Sequence, residues 1–152
     1  MYKSYLEVIS LVERTHWHFL EVVKLELDRL GIHDINNVQG LLLFDIGDAE
    51  MTIGELISRG CYLRSSLAYN LNKMVENGYL VRERSEYDRR STNVRVTEKG
   101  TQMRDRLQGM HQRHAEMLEP AIADEDFHAA TVTLGRLERF WTRVPDIKAA
   151  AA

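Results

Sequence analysis

The stretch NGYLVRERSEYDRRSTNVRVTEKG, residues 77–100, decides how the rest of the chain is read. Its first turn, with Gly78, is where a helix would take a left-handed C-terminal cap. Beyond it the hydrophobic period changes. Tyr79–Arg84 and Thr92–Thr97 are short, partly alternating and rich in β-branched and aromatic residues, which predicts two strands. The connector Ser85–Ser91 is polar throughout, so the pair reads as a hairpin around a charged loop. Thr97 then stands at the N-cap of a new helix.

Working outward toward the N-terminus, Leu67, Leu71, Met74 and Val75 recur at helical spacing and predict a helix over Leu63–Asn77. A shorter helix, Ile53–Arg59, precedes it. Thr52 and Glu55 give that helix the spacing of a capping box. The segment Ile35–Ile46 is apolar almost all round, and Gly47-Asp48 breaks it. A long first helix, Ser4–Leu30, carries Leu6, Ile9, Val12, Phe19, Leu20, Val23, Leu27 and Leu30 at three- and four-residue steps, with Gly31 as its stop. Toward the C-terminus, one helix runs from Thr97 to about Glu119 and another from Asp124 to Arg143. In the latter, Phe127, Ala130, Leu134, Leu137 and Trp141 form a heptad-like seam suited to a partner helix. The Ala-rich end after Pro145 reads as a frayed tail. The expected fold is mainly α with a two-stranded antiparallel hairpin and long terminal helices. Its parts are an N-terminal helix in 1–34, a central lobe in 35–100, C-terminal helices in 101–145 and a flexible tail in 146–152, all in one integrated domain.

Composition narrows the function. The 152 residues suffice for one core, and 44% hydrophobic with 28% charged residues fits a globular chain. No run of about 18 apolar residues predicts a transmembrane helix. MYKSYLEVIS carries Glu7 early and lacks a basic leader, so a cytoplasmic protein without a secretory signal is expected. The single Cys61 excludes an intramolecular disulfide framework. Charge is unevenly spread. Residues 61–100 hold eight Lys/Arg against five Asp/Glu, a net of +3, in a chain whose net charge is −3. A basic segment in an acidic chain suits contact with a polyanion.

Two short helices, a turn and a basic hairpin are the parts of a winged helix-turn-helix. The second helix of such a pair enters the major groove of double-stranded DNA, so it needs one apolar face and one face of short or hydrogen-bonding side chains. Opposite Leu67, Leu71 and Met74 lie Arg64, Ser65, Ser66, Tyr69, Asn72 and Lys73. Arg84, Arg89, Arg90 and Arg95 in and around the hairpin can reach a minor groove or the phosphates.

On these residues the chain resembles the multiple-antibiotic-resistance regulator (MarR) family. Asp88-Arg89-Arg90 in the wing and the closing Thr97-Glu98-Lys99-Gly100 carry the resemblance, together with the helix order around them. It implies a homodimer joined through the first, fifth and sixth helices, gripping a pseudo-palindromic operator with two wings. It also implies a repressor whose binding is often relieved by a small ligand or an oxidant. Asp88 would brace the wing while Arg89 or Arg90 touches DNA. One departure stands out: the turn Gly60–Arg64 is a residue longer and bulkier than the family's usual turn, which bears on the register of the base-reading positions.

Other residues carry competing readings. Arg14, His16, Trp17 and Phe44 could meet a small hydrophobic or aromatic anion acting as effector; alternatively Trp17 packs at a dimer interface and His16 is a satisfied core histidine. Cys61, beside Arg59 and Arg64, is either a redox switch or a small hydrophobe. His111 and His114 are three apart without a supporting acid cluster, and no metal site is expected. No Gly-rich phosphate loop, Gly-x-Ser-x-Gly elbow or His-Glu-x-x-His occurs, so neither an enzyme nor a cofactor is expected. A winged helix that binds protein instead of DNA is the remaining alternative.

Overall fold

The computed structural model describes residues 1–59, 64–84 and 92–150, with Arg64, Ser65 and 145–150 described by their backbone alone. Its elements in chain order are α1 (Tyr2–Arg29), α2 (Asn37–Ile46), β1 (Met51–Thr52), α3 (Ile53–Arg59), α4 (Arg64–Glu76), β2 (Leu80–Arg84), β3 (Thr92–Val96), α5 (Glu98–Leu118) and α6 (Asp124–Ala150). Two compact units divide the chain within α5, at Met110 and His111. Burial explains the division. Gly100, Met103, Leu107 and Met110 are the buried residues of α5, and all lie in its first part.

In the first unit, Val23 and Leu27 of α1 meet Leu42, Leu43 and Ile46 of α2, Leu56 of α3, and Leu67, Leu71 and Met74 of α4 in one core. The apolar stripe expected along all of α1 is buried only in its later turns. Leu6, Val12 and Phe19 remain exposed.

Helix ends follow side-chain chemistry. Asn36 caps α2: its side-chain oxygen accepts from the Gln39 amide at 2.8 Å, and Gln39 Oε1 accepts from the Asn36 N–H at 3.1 Å. The helix therefore begins at Asn37 and not at Ile35, because the cap holds Asn36 in an extended conformation. The Thr52–Glu55 box forms as expected, with the Glu55 N–H donating to Thr52 Oγ1 at 3.1 Å and the Thr52 N–H to Glu55 Oε2 at 2.7 Å. Helix α4 closes in a Schellman arrangement at Gly78, whose φ of 80° favours glycine. There the Tyr79 N–H reaches the Met74 carbonyl at 2.8 Å and the Gly78 N–H reaches that of Val75 at 3.1 Å.

The sheet has three strands in the order β1-β3-β2, all antiparallel, where the sequence predicts a two-stranded hairpin. The added strand is Met51–Thr52, paired with Val94 and Asn93. Two residues are too few to display an alternating pattern, so β1 has no sequence signature. Leu80 lies opposite Val96 in the β2–β3 ladder, with both buried against the core. Helix α6 also differs: it is helical to Ala150, where the sequence predicts a tail from 146 onward. Alanine is the best helix former, so Ala149 and Ala150 extend a helix that Pro145 does not stop.

Tyr79 is the junction of the lobe. Its side chain is 1% exposed. Its hydroxyl donates to Asp34 Oδ1 at 2.5 Å, and its carbonyl accepts from the Thr97 N–H at 3.0 Å. Lys99 lies 4.2 Å over the ring and donates to Asp34 Oδ2 at 2.6 Å and to the Asn77 carbonyl at 2.8 Å. Burial of the Tyr79 phenol, then its bond to Asp34 and that residue's charge, push its pKa well above the ordinary value. For Asp34, burial opposes ionisation, but the hydrogen bonds from Lys99 and Tyr79 and the charge of Lys99 outweigh it, so its carboxyl titrates below the usual range.

Two predictions follow from this junction. A Cβ on Gly100 would clash with the Tyr79 carbonyl oxygen and stand 2.6 Å from Val96 Cγ1. Gly100→Ala should therefore destabilise the fold by about 1–3 kcal/mol in urea unfolding. Gly135→Ala, whose Cβ meets Arg139 Nη1 at an ordinary 3.5 Å, should be neutral or stabilising by about 0.5–1 kcal/mol. The second concerns pH. Because the folded carboxyl of Asp34 titrates low, its contribution is present above the ordinary carboxylate pKa and is lost as pH falls through the depressed value. Lys99→Met should thus lower stability at pH 7, and its gap from the parent should narrow toward about pH 3. Asp34 and Lys99 are both half-exposed, so solvent screening keeps the gap small. An equal gap at both pH values would contradict the assignment.

Candidate nucleic-acid interface

Helix α4 presents two faces. Leu67, Leu71 and Met74 are fully buried, and Ser66, Tyr69 and Asn72 are exposed. At 100° per residue, Tyr69 stands opposite the buried stripe, flanked by Asn72 and Lys73. It is 62% exposed, so a large aromatic projects from the middle of the polar face. Lys73 donates to Glu76 Oε2 at 2.8 Å, and that bond, then the charge of Glu76, raises its pKa.

What holds α4 at its angle is a pair of amides that sequence reasoning missed. Gln39, 5% exposed, accepts from the Asn36 N–H with its oxygen and donates with its nitrogen to Asn70 Oδ1 at 3.1 Å. Asn70 in turn donates to the Ser66 carbonyl at 3.0 Å. A buried amide with both ends satisfied fixes the rotation of α4 against α2. The Asn36-x-x-Gln39 spacing is the signal that could have exposed half of this pair.

The strands sort the basic residues by face. Leu80, Arg82 and Arg84 alternate onto one face of β2, and Arg95 of β3, paired with Val81, belongs to the other. Arg95 is bridged to Glu83 at 3.0 Å. Arg82 and Arg84 are exposed and have no hydrogen-bond or ion-pair partner among the described residues. Arg82 was not among the sequence candidates, although its two-residue step from Arg84 places it on the same face. Asp88, Arg89 and Arg90, and Cys61 with the turn 60–63, lie outside the described residues, as do the side chains of Arg64 and Ser65.

The candidate effector residues are spread over two helices. Arg14, His16 and Trp17 lie on the exposed first half of α1, with Trp17 69% exposed and the His16 and Trp17 rings tilted at 58° with centroids 6.0 Å apart. Phe44 is half-buried against the core on α2. None of the four lines either of two cavities found in the first unit. One cavity is walled by the α1–α2 turn, Tyr79 and the start of α5, the other by Lys24, Asp28 and Asn36 among others. Among the described residues no three His, Cys, Asp or Glu side chains are grouped to hold a metal, and no helix is long and apolar enough to cross a membrane.

Comparison with known proteins gives this surface its context. Residues 35–100 match the family described as winged helix DNA-binding domain. The exopolysaccharide II synthesis transcriptional activator ExpG of Rhizobium meliloti (strain 1021) is 34% identical over 139 residues, covering 91% of this chain and 72% of its own. Among solved structures, FabT of Streptococcus pneumoniae in complex with DNA superposes with a TM-score of 0.74 at 20% identity, over 92% of this chain and 99% of that one. A MarR transcriptional regulator from Methanosarcina mazei Go1 gives 0.75 at 20%, over 90% and 97%. A cysteine-to-serine mutant of MarR from E. coli, complexed with operator DNA, gives 0.73 at 19%, over 90% and 97%. The structural likenesses establish the fold, and the sequence relative goes further. Fold and relatives alike are those of regulators, not enzymes. With its capped helix pair, its basic β2–β3 ladder and these likenesses, the chain has the fold of the MarR regulators and belongs with ExpG among transcriptional regulators that carry a winged-helix DNA-binding domain.

Proposed function

We propose that the chain binds a pseudo-palindromic operator as a homodimer, placing one α4 in each of two successive major grooves. The observation that carries this reading is the two-faced α4: a fully buried apolar stripe behind Tyr69, Asn72 and Ser66, which stand exposed. Ser66, Tyr69 and Asn72, with Arg64 and Ser65, read base edges. Lys73, Arg84, Arg89, Arg90 and Arg95 neutralise phosphate, and Asp88 braces the wing. Two half-sites must lie about 34–36 Å apart, a distance that only a dimer can set. Exposed apolar side chains support the dimer: Leu6, Val12 and Trp17 on α1, and Phe127, Leu134, Phe140 and Trp141 on α6. The family resemblance suggests repression. The named role of the 34% identical relative supports activation instead, and we take activation as the sign of regulation.

Sedimentation at micromolar concentration should show a dimer; a monomer alone would sink the operator geometry. On DNA, Arg84→Ala and Arg90→Ala should weaken binding to all sequences and flatten the dependence of log K on log salt by about one unit each. Asn72→Ala should instead change base preference, with about 1–3 kcal/mol of discrimination lost at one position. Footprinting and titration across salt concentrations separate the two classes. If Asn72→Ala leaves base preference intact, α4 does not read the groove as proposed.

A further inference from the structure

The segment 47–52, which joins α2 to α3, is short and is held from three sides. Gly47 takes a φ of 62° as the chain leaves α2. Asp48 Oδ1 then accepts from Arg104 Nη2 of α5 at 2.5 Å. Glu50 Oε1 accepts from Asn93 Nδ2 of β3 at 2.8 Å, and Met51 and Thr52 pair with Val94 and Asn93. Thr52 finally opens the capping box of α3. All of these residues belong to the first unit.

What hangs on this segment has little hold of its own. Helix α3 has seven residues and buries one side chain completely, Leu56. A helix so short does not stand by propensity, so its place is set by Leu56 and by the chain that enters it. Strand β1, with two residues, is below the usual strand length and adds few ladder bonds. The side-chain bonds at Asp48 and Glu50 supply the remaining hold, and they differ in kind. Glu50 ties the segment to β3, which is part of the hairpin itself. Asp48 ties it to α5, whose Met103 and Leu107, on either side of Arg104 in the sequence, are buried in the core. The Arg104 side chain is 14% exposed, against 89% for Asp48. A guanidinium so covered is costly to leave unpaired, which favours the closed pair.

We propose that Arg104 is a positioning residue for DNA binding, a role that rests on the operator reading above. Through Asp48 it holds segment 47–52, and with it the start of α3 and the β1 edge of the sheet, in the arrangement that lets α4 and β2 meet one duplex together. Arg104 acts from the core side of the lobe and neutralises no phosphate. With the pin open, α3 and the sheet edge leave that arrangement for part of the time. Affinity then falls by the fraction of molecules that remain competent, with the contacts to DNA unchanged in kind.

The test compares the full-length parent with Arg104→Gln, Asp48→Ala and the double variant, on the duplex that the parent selects from a random-sequence pool. Each single variant should bind that duplex about tenfold more weakly. The double variant should be no worse than the weaker single, because both changes open the same pin. Arg104→Lys, which keeps the charge, should recover part of the loss. The slope of log K against log salt should stay at the parent's value, since no phosphate contact is lost. Without DNA, amide hydrogen exchange in Asp48→Ala should quicken at residues 51–57, while the urea midpoint stays near the parent's because that carboxylate is exposed. Asp48→Ala alters a side chain outside the core, so it decides the matter even if an Arg104 variant folds poorly. A parent that selects no duplex would overturn the operator reading and this role together. A parent that selects one overturns this role alone if Asp48→Ala binds it unchanged, if the single losses multiply in the double variant, if the salt slope of Arg104→Gln flattens by about one unit, or if exchange at 51–57 is unaltered.

Discussion

The close approach of Gly100 to the Tyr79 carbonyl is the constraint on which the DNA-binding lobe depends. Helix α5 can start where it does only because residue 100 has no side chain, and the Thr97 N–H can then reach the same carbonyl at 3.0 Å. Tyr79 thereby touches four segments at once: its N–H closes α4, its carbonyl receives the start of α5, its hydroxyl holds the α1–α2 turn through Asp34, and Leu80 after it begins β2. The wing ladder, β2 against β3, is consequently fixed at its foot to both neighbouring helices. A strand pair anchored there presents Arg82 and Arg84 at a defined height relative to α4. In the proposed operator complex such positioning would let phosphate contacts and base contacts act in register.

How much of this was legible depended on whether a feature is local. The capping box at Thr52 and Glu55, the glycine after α4, and the change of period at Tyr79 are all properties of a few neighbouring residues, and each appears in the structure where the sequence puts it. Leu67, Leu71 and Met74 announced the buried face of α4 because three- and four-residue steps are a helix's own geometry. The junction was illegible for the opposite reason. Asp34 and Lys99 are 65 residues apart, and Gln39 and Asn70 are 31 apart. No spacing rule connects such pairs until the fold has brought them together. Strand β1 failed on length alone, and α6 passed its expected end because alanine tolerates helix better than a polar tail would.

The periodicity of α1 extends beyond what the single chain covers. Its apolar residues recur faithfully, but only those from Leu20 onward are buried in the single chain, and Leu6, Val12 and Trp17 are left in water. In the second unit, Phe127, Leu134, Phe140 and Trp141 are exposed along α6. Hydrophobic period reports that a face is to be covered and does not say by what. Large aromatics left exposed on long helices are costly to keep in solvent, and covering such surfaces is the ordinary route to a symmetric dimer.

Neutralisation within the chain divides the labour among its cations. Lys73 is held by Glu76 and Arg95 by Glu83, so either must give up or share a carboxylate before it can meet a phosphate. Arg82 and Arg84 carry no such debt to another described residue, and they lie on one face of β2. In the proposed operator complex the electrostatic, sequence-independent part of binding would therefore concentrate on β2, where counterion release follows directly from phosphate contact. Among its described side chains, α4 keeps little unshared charge and exposes the amide of Asn72 and the phenol of Tyr69. Those groups gain from the pattern of donors and acceptors on base edges more than from charge. In the proposed operator complex the wing would hold DNA and α4 would distinguish one sequence from another, steadied against α2 by the buried amide of Gln39.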